Sequence, residues 1–413
     1  MTNINFKCLP KAVRFFSLGF LCSFALSPQV LADDWSDWLA IQINQHPDVL
    51  AAKERWHGSN ANAEAISQPI YNPELSLEAD RKGDENNYAV GVEQTIDLWN
   101  RRAVNANQAA HLKTAAMNMF KQEVLNKSEE VLTALIEWQT ADQAASIAQS
   151  QRQQLNSMLD LVDARQKSGD LSAVDAELTF LSLSQQIAQV AEIESSLMRA
   201  ETRLLELLPH WTRSKGGLPE TFWPSAIPAA SDEKLRQHPL VASSEAIWHS
   251  MKENTESARR ASKPDPTIGI NAGRDGGANL VGLSVSVPLH VRNNFSAENR
   301  AAKSMELEAE ANWIATFRKQ RVDWQVARGT WQRYQHHLNS WKALSADRAE
   351  NSEQLLKRQW QSGDISTSDY LLALNQRTES LLAGIELEKQ AQLALTQALY
   401  QSGLLSTIIQ PKN

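Results

Sequence analysis

The chain has 413 residues, 42% of them hydrophobic and 22% charged. A polytopic helical membrane protein would need several apolar runs of about 20 residues, and only one such run stands out, at the N-terminus. With 48 acidic against 41 basic residues the chain is net acidic, which argues against nucleic acid as a partner.

The N-terminal run has the form of a signal peptide. Lys7, Lys11 and Arg14 precede an apolar stretch from Phe15 to Leu26, and Val30-Leu31-Ala32 offers a cleavage site before Asp33. The short core and Ser27-Pro28 weigh against a retained anchor helix. Both cysteines, Cys8 and Cys22, fall in this leader. Leu21 is not the small residue that a lipidation site wants before its Cys. The mature chain is therefore expected to carry no thiol, disulfide or lipid anchor, and to draw its stability from packing or oligomerisation. The leader holds three basic residues and no acidic one, leaving 38 cations against 48 anions, a net −10.

The next elements in the chain are duplicated. His46-Pro47 followed by Trp56-His57 returns 192 residues later as His238-Pro239 followed by Trp248-His249. Asn72-Pro73-Glu74-Leu75-Ser76-Leu77 is matched by Asp265-Pro266-Thr267-Ile268-Gly269-Ile270, and Val90-Gly91-Val92 by Val281-Gly282-Leu283. "SGDLSAVD" from Ser168 and "SGDISTSD" from Ser362 stand 194 residues apart. Each half reads helix, strand, strand, long helix, turn, long helix. The expected units are a leader over 1–32 and a first repeat over 33–208, with strands in 73–97 and a hairpin tip at 169–175. A Pro/Gly-rich equatorial linker follows over 209–236. A second repeat spans 237–402, with strands in 265–289 and a tip at 363–369, and a tail covers 403–413.

The strand regions alternate. Leu75, Leu77 and Ala79 share a face, as do Tyr88, Val90, Val92 and Ile96, broken only by Gln94, then Ile268, Ile270 and Ala272, then Val281, Leu283, Val285, Val287 and Leu289. The opposite face carries Glu78, Asp80, Glu93, Asn271, Ser284 and Ser286, the candidate lumen residues. Runs of about ten residues suit tilted strands that cross a bilayer. Turns over Gly83 to Asn87 and Gly276 to Ala278 would make two hairpins. One reading is a small soluble sheet with one buried face. In the other the strands span a membrane, and because an open edge cannot face lipid, several chains must pool them. Two chains would give eight strands and three would give twelve.

Residues 101–167 contain neither Pro nor Gly, and 295–361 are interrupted only by Gly329. Return helices are expected over about 172–208 and 366–401. Val124, Val131 and Trp138, then Val190, Leu197 and Leu204, then Leu374, Leu381 and Leu395 keep coiled-coil spacing. In the repeated turn Gly169 and Gly363 can end the incoming helix in the left-handed conformation. Ser172 and Ser366 can cap the outgoing one, with Asp175 and Asp369 three residues on. Asp170 and Asp364 are not needed for either cap.

In this order, duplicated, the chain resembles the TolC family of outer-membrane efflux channels and, within it, the CzcC-like branch serving heavy-metal exporters of the resistance-nodulation-division (RND) type. "NPELSLEAD", "VGVEQTIDLWNRR", "KPDPTIGI", "VGLSVSVPLHVRNN" and the two Gly-x-[LI]-Ser-x-x-Asp turns carry the resemblance, which covers essentially the whole mature chain. It implies a mainly α fold with a transmembrane β part: a homotrimer forming a twelve-stranded β-barrel, four strands per chain, in outer-membrane lipid. A long periplasmic coiled-coil α-barrel continues it. The implied function is a passive exit duct fed by a periplasmic adaptor and an inner-membrane RND pump, for heavy-metal cations; drug efflux or type I polypeptide secretion is the alternative cargo. Gly169, Asp170, Leu171 and Ser172 with Gly363, Asp364, Ile365 and Ser366 would form the adaptor-binding tips, and Asp175 and Asp369 would stand at the entrance. Some relatives place an Arg and a second Asp where this chain has Ile365 and Leu372, so Arg358 and Trp360 become candidates for the gate.

No enzyme constellation, metal site or cofactor motif is evident. His336 and His337 are adjacent, so on a helix they diverge by about 100°. His46, His57, His238 and His249 follow the repeat and suggest helix packing. Asn100-Arg101-Arg102 and Asn293-Asn294 read as barrel-to-helix junctions. Trp99 and Phe295 fit either an aromatic girdle or local core. An adaptor would carry one hairpin per chain, and a soluble scaffold would need neither leader nor alternating strands.

Overall fold

The structure, a computed structural model, describes residues 28–169, 172–224, 226–345 and 348–409. The expected leader lies outside these residues except for its last five. The first helix, α1 (Pro28–Gln45), runs through the expected cleavage point, and Pro28 opens it rather than breaking it. It buries Trp35, Leu39, Ala40 and Ile43 along one face.

The two His-Pro pairs open helices α2 (Pro47–Ser67) and, in the second half, α6 (Pro239–Ala261). His46 Nδ1 accepts the Asp48 N–H at 3.2 Å, and His238 Nδ1 accepts the Leu240 N–H at 3.3 Å. Proline at the first helical position costs no hydrogen bond. Both histidines are N-caps, and His238, buried against Tyr400, also packs as expected. His57 and His249 pack against the tryptophans that precede them. Trp56 stacks on Phe120, and Trp248 stacks on Trp313 at 4.9 Å between ring centres.

Strands β1 (Glu74–Lys82), β2 (Glu85–Thr95), β3 (Thr267–Asp275) and β4 (Ala278–Ser286) form one antiparallel sheet in the order β1-β2-β3-β4. The first turn is shorter than expected. Only Gly83 and Asp84 form it, and Glu85 already pairs with Lys82. The second uses Gly276 and Gly277, both with positive φ, as a tight hairpin requires. β4 stops at Ser286, short of the expected Leu289, because Pro288 has no N–H for a ladder.

Helix α3 (Arg101–Ser168) is 68 residues long, about 100 Å. It folds back as α4 (Ala173–Leu207). In the second half α7 (Ser296–Ser345) and α8 (Arg348–Ser362) descend, and α9 (Thr367–Gln401) returns. The linker holds two short 3₁₀ turns and α5 (Asp232–Arg236), and α10 (Leu405–Ile409) ends the described chain. The seven-residue spacing faces inward: Val131, Trp138, Val190, Leu204 and Leu374 are all buried. At mid-length, α1, the linker, α10 and the long helices share a core that includes Trp35, Leu132, Leu135, Leu208, Phe222 and Leu399. α7 approaches α9 closely enough that a Cβ on Gly384 would collide with the Trp341 ring.

Candidate functional site: sheet, junction and hairpin tips

The register sorts the strands into two unlike faces. Leu77, Val90, Ala272 and Val281 lie in one row across the sheet, and Leu75, Val92, Ile270 and Leu283 in another. These large apolar side chains are exposed, Leu77 at 77% and Val281 at 79%. The opposite face is narrow and polar. There Glu93 pairs with Gly269 and Gly269 with Ser284, while Asn271 pairs with Gly282. A Cβ on Gly269 would meet the Ser284 hydroxyl and the Glu93 stem, and one on Gly282 would meet the Asn271 amide. Crowding of this kind on the polar face is what a sheet curved around its polar side produces. Glu78, Asp80, Glu93, Asn271, Ser284 and Ser286 all stand on that polar face. β1 and β4 pair on one side only, so both edges of the sheet are open.

Between sheet and helices lies a junction that sequence reasoning located only by its Asn and Arg residues. Asp97 accepts the N–H groups of Arg101 and Arg102, each at 2.8 Å, and so starts α3. Asp265, 6% exposed, accepts the Leu98 N–H at 3.2 Å and the Tyr71 hydroxyl at 3.0 Å. Arg260 donates to the carbonyls of Trp99 and Asn100, and its guanidinium is held by Glu256. Arg259 and Arg260 together draw the Glu256 carboxyl down to about 2. Asn100 adopts the left-handed conformation (φ 54°), and Phe295 does so at the second junction (φ 57°). There Asn293 and Asn294 accept the N–H groups of Phe295 and Ser296. An Asp four residues ahead of a long helix was the available signal for Asp97. Nothing in the sequence marked Tyr71 as the partner of Asp265.

At the tips, Gly169 and Gly363 share φ 81°. The Gly363 N–H returns to Trp360 O and the Asp364 N–H to Gln359 O, a left-handed helix stop. The Asp369 N–H donates to Ser366 Oγ at 3.1 Å, and the Ser366 hydroxyl donates to Asp369 Oδ2 at 2.7 Å. Asp364 accepts the Ser362 hydroxyl at 2.7 Å. Trp360 is buried. It stacks on Tyr370 at 4.7 Å and donates its indole N–H to Thr367 Oγ1. Leu155, Met158, Leu183, Leu371 and Leu374 complete this second core, with Ile365 against it. Arg358 is exposed and reaches Gln354. Gly169 and Ser172 stand at the first tip. Asp170 and Leu171, and the side chain of Asp175, lie outside the described residues.

Among the described residues no three His, Cys, Asp or Glu side chains come together as a metal site. The rings of His336 and His337 stand edge to face at 5.6 Å on an exposed stretch of α7. Among the described residues no helix is long and apolar enough to cross a membrane.

The profile of the family described as "Outer membrane efflux protein" matches residues 38–210. The cobalt-zinc-cadmium resistance protein CzcC of Cupriavidus metallidurans is 25% identical over 60% of this chain, an alignment that spans 62% of its own length. Among solved structures, the outer-membrane channel OprN superposes with a TM-score of 0.75 at 16% identity, covering 91% of each chain. CusC does so at 0.74 and 15%, covering 90% of this chain and 92% of its own. The outer membrane protein VceC of Vibrio cholerae does so at 0.71 and 16%, covering 91% and 97%. Residues 38–210 thus match the outer membrane efflux protein family, and the chain, with its duplicated strand pairs and helical hairpins, shares the fold of these outer-membrane channels.

Proposed function

We propose that this protein is the outer-membrane exit duct of a tripartite efflux system. Three copies would join β4 of one to β1 of the next, and twelve strands would close a barrel with the apolar face in lipid and the polar face around water. The open sheet carries this reading: its apolar face is exposed, its polar face is acidic, and both of its edges are unpaired. The long hairpins would continue the barrel as a periplasmic tunnel. Their tips, Gly169 to Ser172 and Gly363 to Ser366, would receive an adaptor, behind which an inner-membrane pump supplies the energy. The duct performs no chemistry.

Heavy-metal cations are the favoured cargo. Glu78, Asp80 and Glu93 from three chains would line the lumen with carboxylates, and Asp175 and Asp369 would ring the entrance. CzcC, similar to 60% of this chain, is named for cobalt, zinc and cadmium resistance.

Single-channel recording of the purified trimer in a planar bilayer tests this. A small cation-selective conductance is expected, blocked by divalent metal from the tip side. Asp175→Ala combined with Asp369→Ala should relieve the block. Release of the protein by osmotic wash, or failure to insert into a bilayer, would overturn the duct. A conducting trimer indifferent to metals would overturn only the cargo.

A further inference from the structure

The apolar outer face does not end where the sheet ends. Beyond Ser286 the alternation continues in unpaired chain through Val287, Leu289 and Val291, with Leu289 78% and Val291 85% exposed. On the other side of the junction, past a break at Gln94, Ile96 and Leu98 carry the exposed apolar face beyond β2. His290, between the two exposed residues, turns the other way. Its Nδ1 lies 2.9 Å from Ser262 O and its ring meets Phe295 edge-on. This anchoring holds Leu289 and Val291 outward.

Heights show why this matters. Within the sheet the fully apolar stretch of β4 runs from Val281 to Val285, about 13 Å of chain, or about 10 Å of height at a barrel tilt of about 40°. A transmembrane barrel presents an apolar band about 25 Å tall. Counted as fully extended chain up to the bend at Val291, Val281 to Val291 supplies at most about 33 Å, or about 25 Å of height at the same tilt. The unpaired rows make up the difference. Directly beside them come the groups that favour a headgroup layer. Lys263 stands 4.2 Å over the Trp99 ring, and the Trp99 indole N–H donates to Pro264 O at 3.0 Å. Arg292 follows Val291 and is exposed.

We propose that the inner-leaflet surface of phospholipid meets this protein below the sheet, on the junction itself. Leu98, Leu289 and Val291 enter the acyl chains, and Trp99, Lys263 and Arg292 lie at the phosphates. The inference rests on the reading that the sheet stands in the bilayer. It adds that the junction, with its collar of hydrogen bonds, is part of the membrane anchor rather than of the tunnel.

Site-directed spin labelling separates the two claims. The leader takes both native cysteines with it, so Leu283→Cys, Leu289→Cys and Val291→Cys each carry one thiol. The labelled trimers are placed in vesicles of phosphatidylethanolamine and phosphatidylglycerol. Collision with oxygen, which enters hydrocarbon, is compared with collision with a water-soluble nickel chelate. Oxygen should dominate at all three positions, with Val291 nearest the boundary. Oxygen at Leu283 but nickel at Leu289 and Val291 would overturn the inference and leave the barrel standing. Low collision with both agents at Leu289 and Val291 would mean that a neighbouring copy covers them, and would overturn it too. Nickel at Leu283 would overturn the barrel reading itself.

Discussion

The Tyr71 hydroxyl donates to Asp265 Oδ2 at 3.0 Å, tying the segment that leads into β1 to the one that leads into β3. These segments occupy matching places in the two repeats, so one short bond closes the duplication on itself just below the sheet. The same carboxylate holds the Leu98 N–H ahead of α3.

Asp265→Ala should therefore be worse than Tyr71→Phe. It removes both bonds, although the Leu98 N–H keeps the Ile96 carbonyl, for about 2–3 kcal/mol, whereas Tyr71→Phe removes one bond to the carboxylate, at about 1.5 kcal/mol. Thermal dissociation of the detergent-solubilised trimer, followed by gel mobility, checks the order.

Gly384→Ala should destabilise the chain by about 1–3 kcal/mol, because its Cβ would run into the Trp341 ring between α7 and α9. Trp341→Leu should recover much of that loss. Urea melts of the single and double variants measure the coupling.

At the second tip, Trp360→Ala should loosen the hairpin end while leaving mid-length intact. The indole joins α8 to α9 by its stack on Tyr370 and its bond to Thr367. Large-to-small changes of this kind cost about 3–5 kcal/mol. Hydrogen exchange should rise over 355–372 and stay unchanged around Leu132 and Leu399.

His238 predicts a loss of stability in acid. Burial holds its imidazole neutral, down to a pKa of about 4 from an ordinary 6.5, although its hydrogen bond with the Tyr400 carbonyl pulls the other way. The unfolded chain takes up a proton as pH falls below about 6.5, while the folded one does so only near 4. The stabilisation is thus complete above pH 6.5 and fades as pH falls to about 4, by at most about 3 kcal/mol. His238→Asn, which keeps a capping side chain, should flatten the fall in melting temperature between pH 7 and pH 5.

Much of this architecture is legible in one dimension because its causes are local. A run of 68 residues without Pro or Gly is a helix wherever it sits. A Gly followed by Ser-x-x-Asp ends one helix and caps the next. The Ser366–Asp369 pair forms as its spacing dictates. Apolar and polar alternation separates Leu77 and Val90 from Glu78 and Asn271 before any fold is known. Duplication then orders the parts.

Tertiary structure decided what depends on partners far apart in sequence. That β2 pairs with β3 across 171 residues of helix and linker, leaving β1 and β4 as open edges, follows from packing of the hairpins rather than from either strand alone. That His238 caps a helix and also reaches Tyr400, or that Trp360 turns into the tip core, depends on which helices lie beside them. Side-chain type limits what a residue can bond. Distance in the folded chain selects the partner, and for Tyr71 and Asp265 that partner lay 194 positions away.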